Sequence, residues 1–152
     1  MSLAPLSVRA RLWAWAVVLR PLKHVVPLGT LVRLARARPA RVRSEPFERS
    51  LEAYLNAREA FPRRAPANCL ERSLGAYRLL CEAGARPELV VGLRRMPDGR
   101  LDGHVWITVD GRPLAEAAGS LDGFVTMVSY DADARPRTPG GGTPDLAGVR
   151  LA

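Results

Sequence analysis

The hydrophobic positions of this chain change their period near Gly84. Before it, apolar side chains recur every three or four residues, as on helices that bury one face; after it they alternate, as on half-buried strands. Val8, Leu12, Trp15 and Leu19 share one helical face, and Pro21 is expected to stop that helix. Leu28, Leu31, Val32 and Ala35 repeat the pattern ahead of Pro39. Arg38 to Arg43 then reads as a solvated linker. In a third helix Ser44 would cap the start, Pro46 is tolerated in the first turn, and Phe47, Leu51 and Tyr54 form the stripe. Pro62 to Pro66 breaks the chain. The fourth helix has the best-marked start. Asn68 is a favoured cap and Glu71 follows three residues later in a variant of the capping box, so Cys69 becomes the first helical residue. Leu70, Leu74, Tyr77 and Cys81 give its buried stripe and Gly84 its stop.

Beyond Gly84, Leu89 to Arg95 reads as a strand and Pro97-Asp98-Gly99 as a turn. His104 to Val109 alternates, with Val105, Ile107 and Val109 on the core face and His104, Trp106 and Thr108 on the other. Asp110-Gly111 is a hairpin signal. Leu114 to Glu116 is expected to return as a third strand and Phe124 to Tyr130 to add a fourth. From Asp131 onward Pro, Gly and Asp dominate, which implies a mobile tail. The order of elements implies an α+β fold in which the helix bearing Cys69 packs on an antiparallel meander. It divides the chain into a basic helical arm (1–60), a domain that holds the candidate chemistry (61–130) and a Gly/Pro-rich flexible tail (131–152).

Composition narrows the class. A length of 152 residues suits one domain, and 47% hydrophobic with 25% charged residues is ordinary for a chain that buries a core. The net charge of +8 is unevenly placed: residues 1 to 43 hold nine basic side chains and no acid, leaving the remainder nearly neutral. The arm is therefore expected to be an attachment surface for a membrane, a partner protein or an acidic peptide, dispensable for reactivity in the domain. Nucleic acid is not favoured as a partner, because no reading motif accompanies the charge. Two cysteines are too few for a disulfide scaffold, which points to a reducing, cytoplasmic setting. The apolar run Leu12 to Leu19 is too short to span a bilayer, and no small-residue cleavage site follows it. The scattered cysteines and histidines do not form a zinc motif, and no cofactor is implied.

The candidate chemistry lies at the helix–sheet join. A thiol in the first turn of a helix is near unpaired N–H groups that favour the thiolate, and Cys69 is so placed. Cys81 lies in the apolar stripe, where burial makes a thiol inert; about 18 Å along the axis separates the two, too far for a disulfide. His104, on a rigid strand, is the candidate base. Its orienting acid is Asp102, on the same face two residues earlier, or Glu116, on the neighbouring strand. With a two-residue Asp110-Gly111 turn, Glu116 falls opposite Val105 on the wrong face and Asp102 is favoured. With a bulged three-residue turn, Glu116 is diagonal to His104 and within reach. The catalytic reading with Glu116 thus predicts a bulged turn. The Cys69 N–H is a natural oxyanion donor. Asn68 is a second donor or only a cap, Arg72 a peptide contact or a solvated side chain, and Trp106 a cleft wall or a packing residue.

The stretches Cys69-Leu70-Glu71-Arg72-Ser73-Leu74, Val91-Gly92-Leu93-Arg94-Arg95 and His104-Val105-Trp106, on through Asp110-Gly111-Arg112-Pro113 to Glu116, resemble the lasso peptide biosynthesis B2 proteins. These are stand-alone leader peptidases with a transglutaminase-like, papain-like cysteine protease fold. The resemblance covers residues 65 to 130 or so, and implies a triad of Cys69, His104 and Glu116. Two departures are visible. His104-Val105-Trp106 stands where the family usually has His-Ala-Trp, and Glu116 where it usually has Asp, which keeps Asp102 as runner-up. The resemblance implies removal of the leader from a ribosomal precursor, with a leader-binding B1 protein in trans and an ATP-dependent cyclase downstream. Residues 1 to 60 read as helices without strands and so offer no winged-helix leader-binding module of their own. Two alternatives stay open: a basic membrane- or nucleic-acid-associated binding module, and an acyltransferase or amidase using the same triad.

Overall fold

The computed structural model describes residues 8–38 and 68–140. The expected Arg38–Arg43 linker beyond residue 38, the Ser44–Tyr54 helix, the Pro62–Pro66 break and the tail after residue 140 lie outside the described residues. The helices are α1 (Val8–Leu22), α2 (Leu28–Ala35) and α3 (Cys69–Glu82); the strands are β1 (Pro87–Arg95), β2 (Leu101–Val109), β3 (Arg112–Pro113), β4 (Val125–Tyr130) and β5 (Pro136–Arg137). This is the expected α+β architecture.

Pro21 does not stop α1, which runs one residue past it to Leu22. Proline's fixed φ suits a helix, and the lost N–H falls in the final turn, where the Lys23 N–H still reaches the Leu19 carbonyl at 3.0 Å. At the start of α3 the Asn68 side chain accepts from the Glu71 N–H at 2.9 Å, as its cap position demands. At the other end Gly84 takes φ +80°, its N–H bonds the Cys81 carbonyl at 3.0 Å, and the Ala85 N–H bonds the Leu80 carbonyl at 2.9 Å. That pair of bonds is a Schellman stop, and it requires the left-handed conformation that glycine adopts without strain.

The helix is buried on more than the expected stripe: Glu71, Ser73, Gly75, Ala76 and Leu80 are buried besides Leu70, Leu74, Tyr77 and Cys81. The reason is that α3 contacts α1 and α2 as well as β1 and β2. Leu19, Leu31, Val32 and Ala35 belong to the same core cluster as Leu74, Tyr77, Val105 and Ile107. The first two helices are therefore not an appendage to an independent domain, and the expected boundary at residue 60 does not separate two cores. Residues of α1 and α2 thus form part of the core on which the helix bearing Cys69 packs. Among the described residues no helix is long and apolar enough to cross a membrane.

The sheet is antiparallel in order β3-β2-β1-β4-β5. The meander extends only through β3. The next strand crosses back to pair with β1, so that Val91 faces Val128 and Leu89 faces Tyr130. The connection from β3 to β4 passes beside His104. The first part of the expected tail is also packed: Ala134 is in the core, and the Tyr77 hydroxyl donates to the Asp131 carbonyl while accepting from the Ala134 N–H at 3.2 Å.

Candidate active site

Cys69 opens α3, and the helix is anchored to β2 beside it. Ser73, one turn later, donates its hydroxyl to the Val105 carbonyl at 2.9 Å. Burial pushes the Cys69 thiol above its ordinary value, while the Val105 N–H, the positive charge of Arg72 and the N–H groups of Leu70 and Cys69 pull it back. Burial pushes Cys81 up to about 11. Both thiols are buried, but Cys69 lines an open cleft of which Cys81 is not part.

His104 sits on β2 opposite Gly92. Its Nε2 lies 3.2 Å from Glu116 Oε1. The turn before Glu116 is not bulged. Val109 pairs with Arg112 and Thr108 with Pro113, while Asp110 and Gly111 take φ of 51° and 75°, the regular two-residue hairpin that was expected to exclude Glu116. Two features reverse that inference. Strand β3 ends at Pro113, so Leu114–Glu116 is not the expected third strand. Ala115 then takes φ +55°, which breaks the alternation of side chains and brings Glu116 to the histidine. Asp102 is engaged elsewhere: its Oδ2 lies 2.8 Å from Arg94 Nη2.

Cys69, His104 and Glu116 line one open cleft of about 510 Å³, with Asn68, Arg72 and Asp102 also on its walls. Trp106 does not line it. The indole is buried behind the site, stacked on His104 with ring centroids 5.9 Å apart. Phe124 completes this aromatic support, 5.6 Å from the His104 ring and 6.2 Å from that of Trp106. The guanidinium of Arg94 lies 4.4 Å over Phe124.

Several residues of the site were not expected from sequence. Ser120 donates to Glu116 Oε2 at 3.1 Å, Phe124 supports the imidazole, and Arg94 occupies Asp102. Ser120 and Phe124 come from the crossover between β3 and β4, which local periodicity does not describe. Gly92 carried a weak signal, since glycine inside a strand marks close approach of another group. Among the described residues no group of three or more His, Cys, Asp or Glu side chains is placed to hold a metal ion.

A cleft-facing thiol on a helix start, sharing its cleft with a strand-borne histidine and the loop carboxylate bonded to that histidine, is a set of groups suited to cysteine-dependent acyl transfer. The chain belongs to the transglutaminase-like superfamily, whose family model matches residues 9–129 and so takes in α1 and α2. That superfamily includes cysteine proteases and acyltransferases. No curated protein and no solved structure matches the chain.

Proposed function

We propose that this protein is a lasso peptide leader peptidase, a cysteine protease that cuts a ribosomal precursor at the leader–core junction. The observation that carries this reading is the convergence of Cys69, His104 and Glu116, the triad implied by the resemblance to the B2 proteins, on one cleft. Glu116 occupies Nε2 of His104, which leaves Nδ1 to exchange protons with the thiol and the leaving group.

Burial holds the Cys69 thiol above its ordinary value, so the reaction calls for a base to take its proton as attack begins. His104 accepts that proton, and sulfur attacks the scissile carbonyl. Backbone N–H groups at the start of α3 steady the oxyanion. As the C–N bond breaks, the imidazolium, held by Glu116, returns the proton to the departing core amine. The leader remains as a thioester on Cys69. Water, deprotonated by His104, then releases the leader carboxylate and restores the thiol.

The freed amine is the nucleophile from which an ATP-dependent cyclase forms the macrocycle. A B1-type leader-binding protein in trans presents the precursor, the reaction takes place in the cytoplasm, and basic residues of the first 43 provide contact with the partner or the inner membrane face. A second reading uses the same thioester but passes the acyl group to an amine, as the acyltransferases of the superfamily do.

Mass spectrometry of precursor incubated with this protein and its leader-binding partner separates the two. Leader carboxylate plus core bearing a free N-terminus supports the peptidase, and a leader–amine adduct supports transfer. Intact precursor after prolonged incubation overturns both.

A further inference from the structure

We propose that Ser120 is a positioning residue, the fourth member of a chain running from Cys69 through His104 and Glu116. This rests on the triad reading above. The Glu116 carboxylate has two oxygens with different partners: Oε1 faces His104 Nε2 at 3.2 Å, and Oε2 accepts from the Ser120 hydroxyl at 3.1 Å. Among the described residues these are its two hydrogen-bond partners. Arg94, a cationic side chain on the wall of the same cleft, is paired with Asp102.

The need for such an anchor follows from side-chain length. A glutamate has one more rotatable bond than the aspartate usual in the resembled family, so its carboxylate must be fixed at a second point to present one oxygen steadily to the imidazole. The crossover supplies that point locally. Ser120 lies four residues after Glu116, in a turn closed by its own N–H on the Ala117 carbonyl at 3.0 Å and eased by Gly119 at φ +77°. Ser120 also lines the cleft, with Glu116 and His104. Its hydroxyl touches no reacting atom; it acts by holding Glu116 in the orientation that favours the imidazolium.

Alkylation of Cys69 by iodoacetamide, followed by peptide mass spectrometry across pH 5 to 10, reads this coupling without any peptide substrate. Ser120→Ala is expected to slow the His104-dependent reaction at neutral pH by about tenfold, the scale of one hydrogen bond to a charged group, and to shift the pH profile. Ser120→Thr restores the rate. Combined with Glu116→Gln, Ser120→Ala adds no further loss, because both act through one carboxylate. In leader cleavage the same variant lowers kcat and leaves KM unchanged.

The outcomes separate the two claims. If His104→Ala leaves Cys69 alkylation and its pH profile unchanged, the triad itself is wrong. If His104→Ala and Glu116→Gln slow the reaction but Ser120→Ala does not, or if its effect adds fully to that of Glu116→Gln, the role of Ser120 is overturned while the triad stands. Threonine failing to rescue a folded protein also counts against it.

Discussion

A β-carbon on residue 92 would stand 2.7 Å from Cη2 and 2.8 Å from Cζ3 of Trp106. The indole occupies the space that every other side chain would need, and it supports the imidazole of His104 from behind. Gly92→Ala must therefore displace Trp106, with the Val125 carbonyl at 3.2 Å closing off relief on another side. The expected cost is about 1–3 kcal/mol, read from urea unfolding, with a fall in leader-cleavage kcat. A stable, fully active Gly92→Ala variant would show that the platform does not position His104.

Ala115 holds the backbone state that carries Glu116 to His104. At φ +55° an alanine is strained, and glycine is not. Ala115→Gly is expected to stabilise the protein by roughly 0.5 kcal/mol, the relieved strain less the added entropy of the unfolded chain, and to keep cleavage. Ala115→Val places a β-branched residue where it is least tolerated and should reduce cleavage to the level of Glu116→Gln. Thermal melting and initial rates check both.

Stability should fall at alkaline pH. Burial raises Cys69, and raises Cys81 to about 11, above the value of about 8.5 expected for an unfolded thiol. The folded state thus holds protons that the unfolded chain releases. Its contribution is complete below about pH 8.5 and is lost as the pH rises through the folded values. Burial also raises Tyr77, which adds to the loss above about pH 10. Urea midpoints measured from pH 7.5 to 10.5 should decline, and less steeply in Cys81→Ala.

Lys23 joins α1 to the helix that carries the thiol. Its Nζ lies 3.0 Å from Oε1 of Glu71, a carboxylate only 3% exposed, and Arg20 is 3.7 Å from the other oxygen. Lys23→Ala leaves much of that buried charge uncompensated and should destabilise by about 2 kcal/mol, less than for a fully buried pair because Lys23 keeps some solvent. Deleting residues 1–43 also removes Leu19, Leu31, Val32 and Ala35 from the core, so the truncated chain should unfold cooperatively at far lower urea or not fold at all. A truncated protein as stable as the full chain would restore the picture of an arm.

What the sequence made legible was local. The Asn68 cap, the stripe from Leu70 to Cys81, the Gly84 stop and the Val105/Ile107 core face each depend on periodicity or on one residue's conformational preference, and the structure has all of them. The reach of Glu116 was not legible, because no residue type announces an alanine with positive φ, and the two-residue turn argued against it. Ser120 and Phe124 arrive by a crossover whose path is set by tertiary packing. The docking of α1 and α2 onto α3 was not legible, because a stripe such as Leu19 or Leu31, Val32 and Ala35 fixes which helix face is buried and not what it is buried against; Leu19 is fully buried while Arg20 beside it is exposed.

The most direct test of the central claim compares leader cleavage by Cys69→Ala and Cys81→Ala, with the leader-binding partner present and both variants shown to be folded. Both thiols lie on α3 and both are buried, yet only Cys69 faces the cleft with His104 and Glu116. Cys69→Ala should lose cleavage by at least about a thousandfold, the scale of losing a catalytic nucleophile, while Cys81→Ala stays near the wild-type rate. Full cleavage by Cys69→Ala would contradict the assignment of this site.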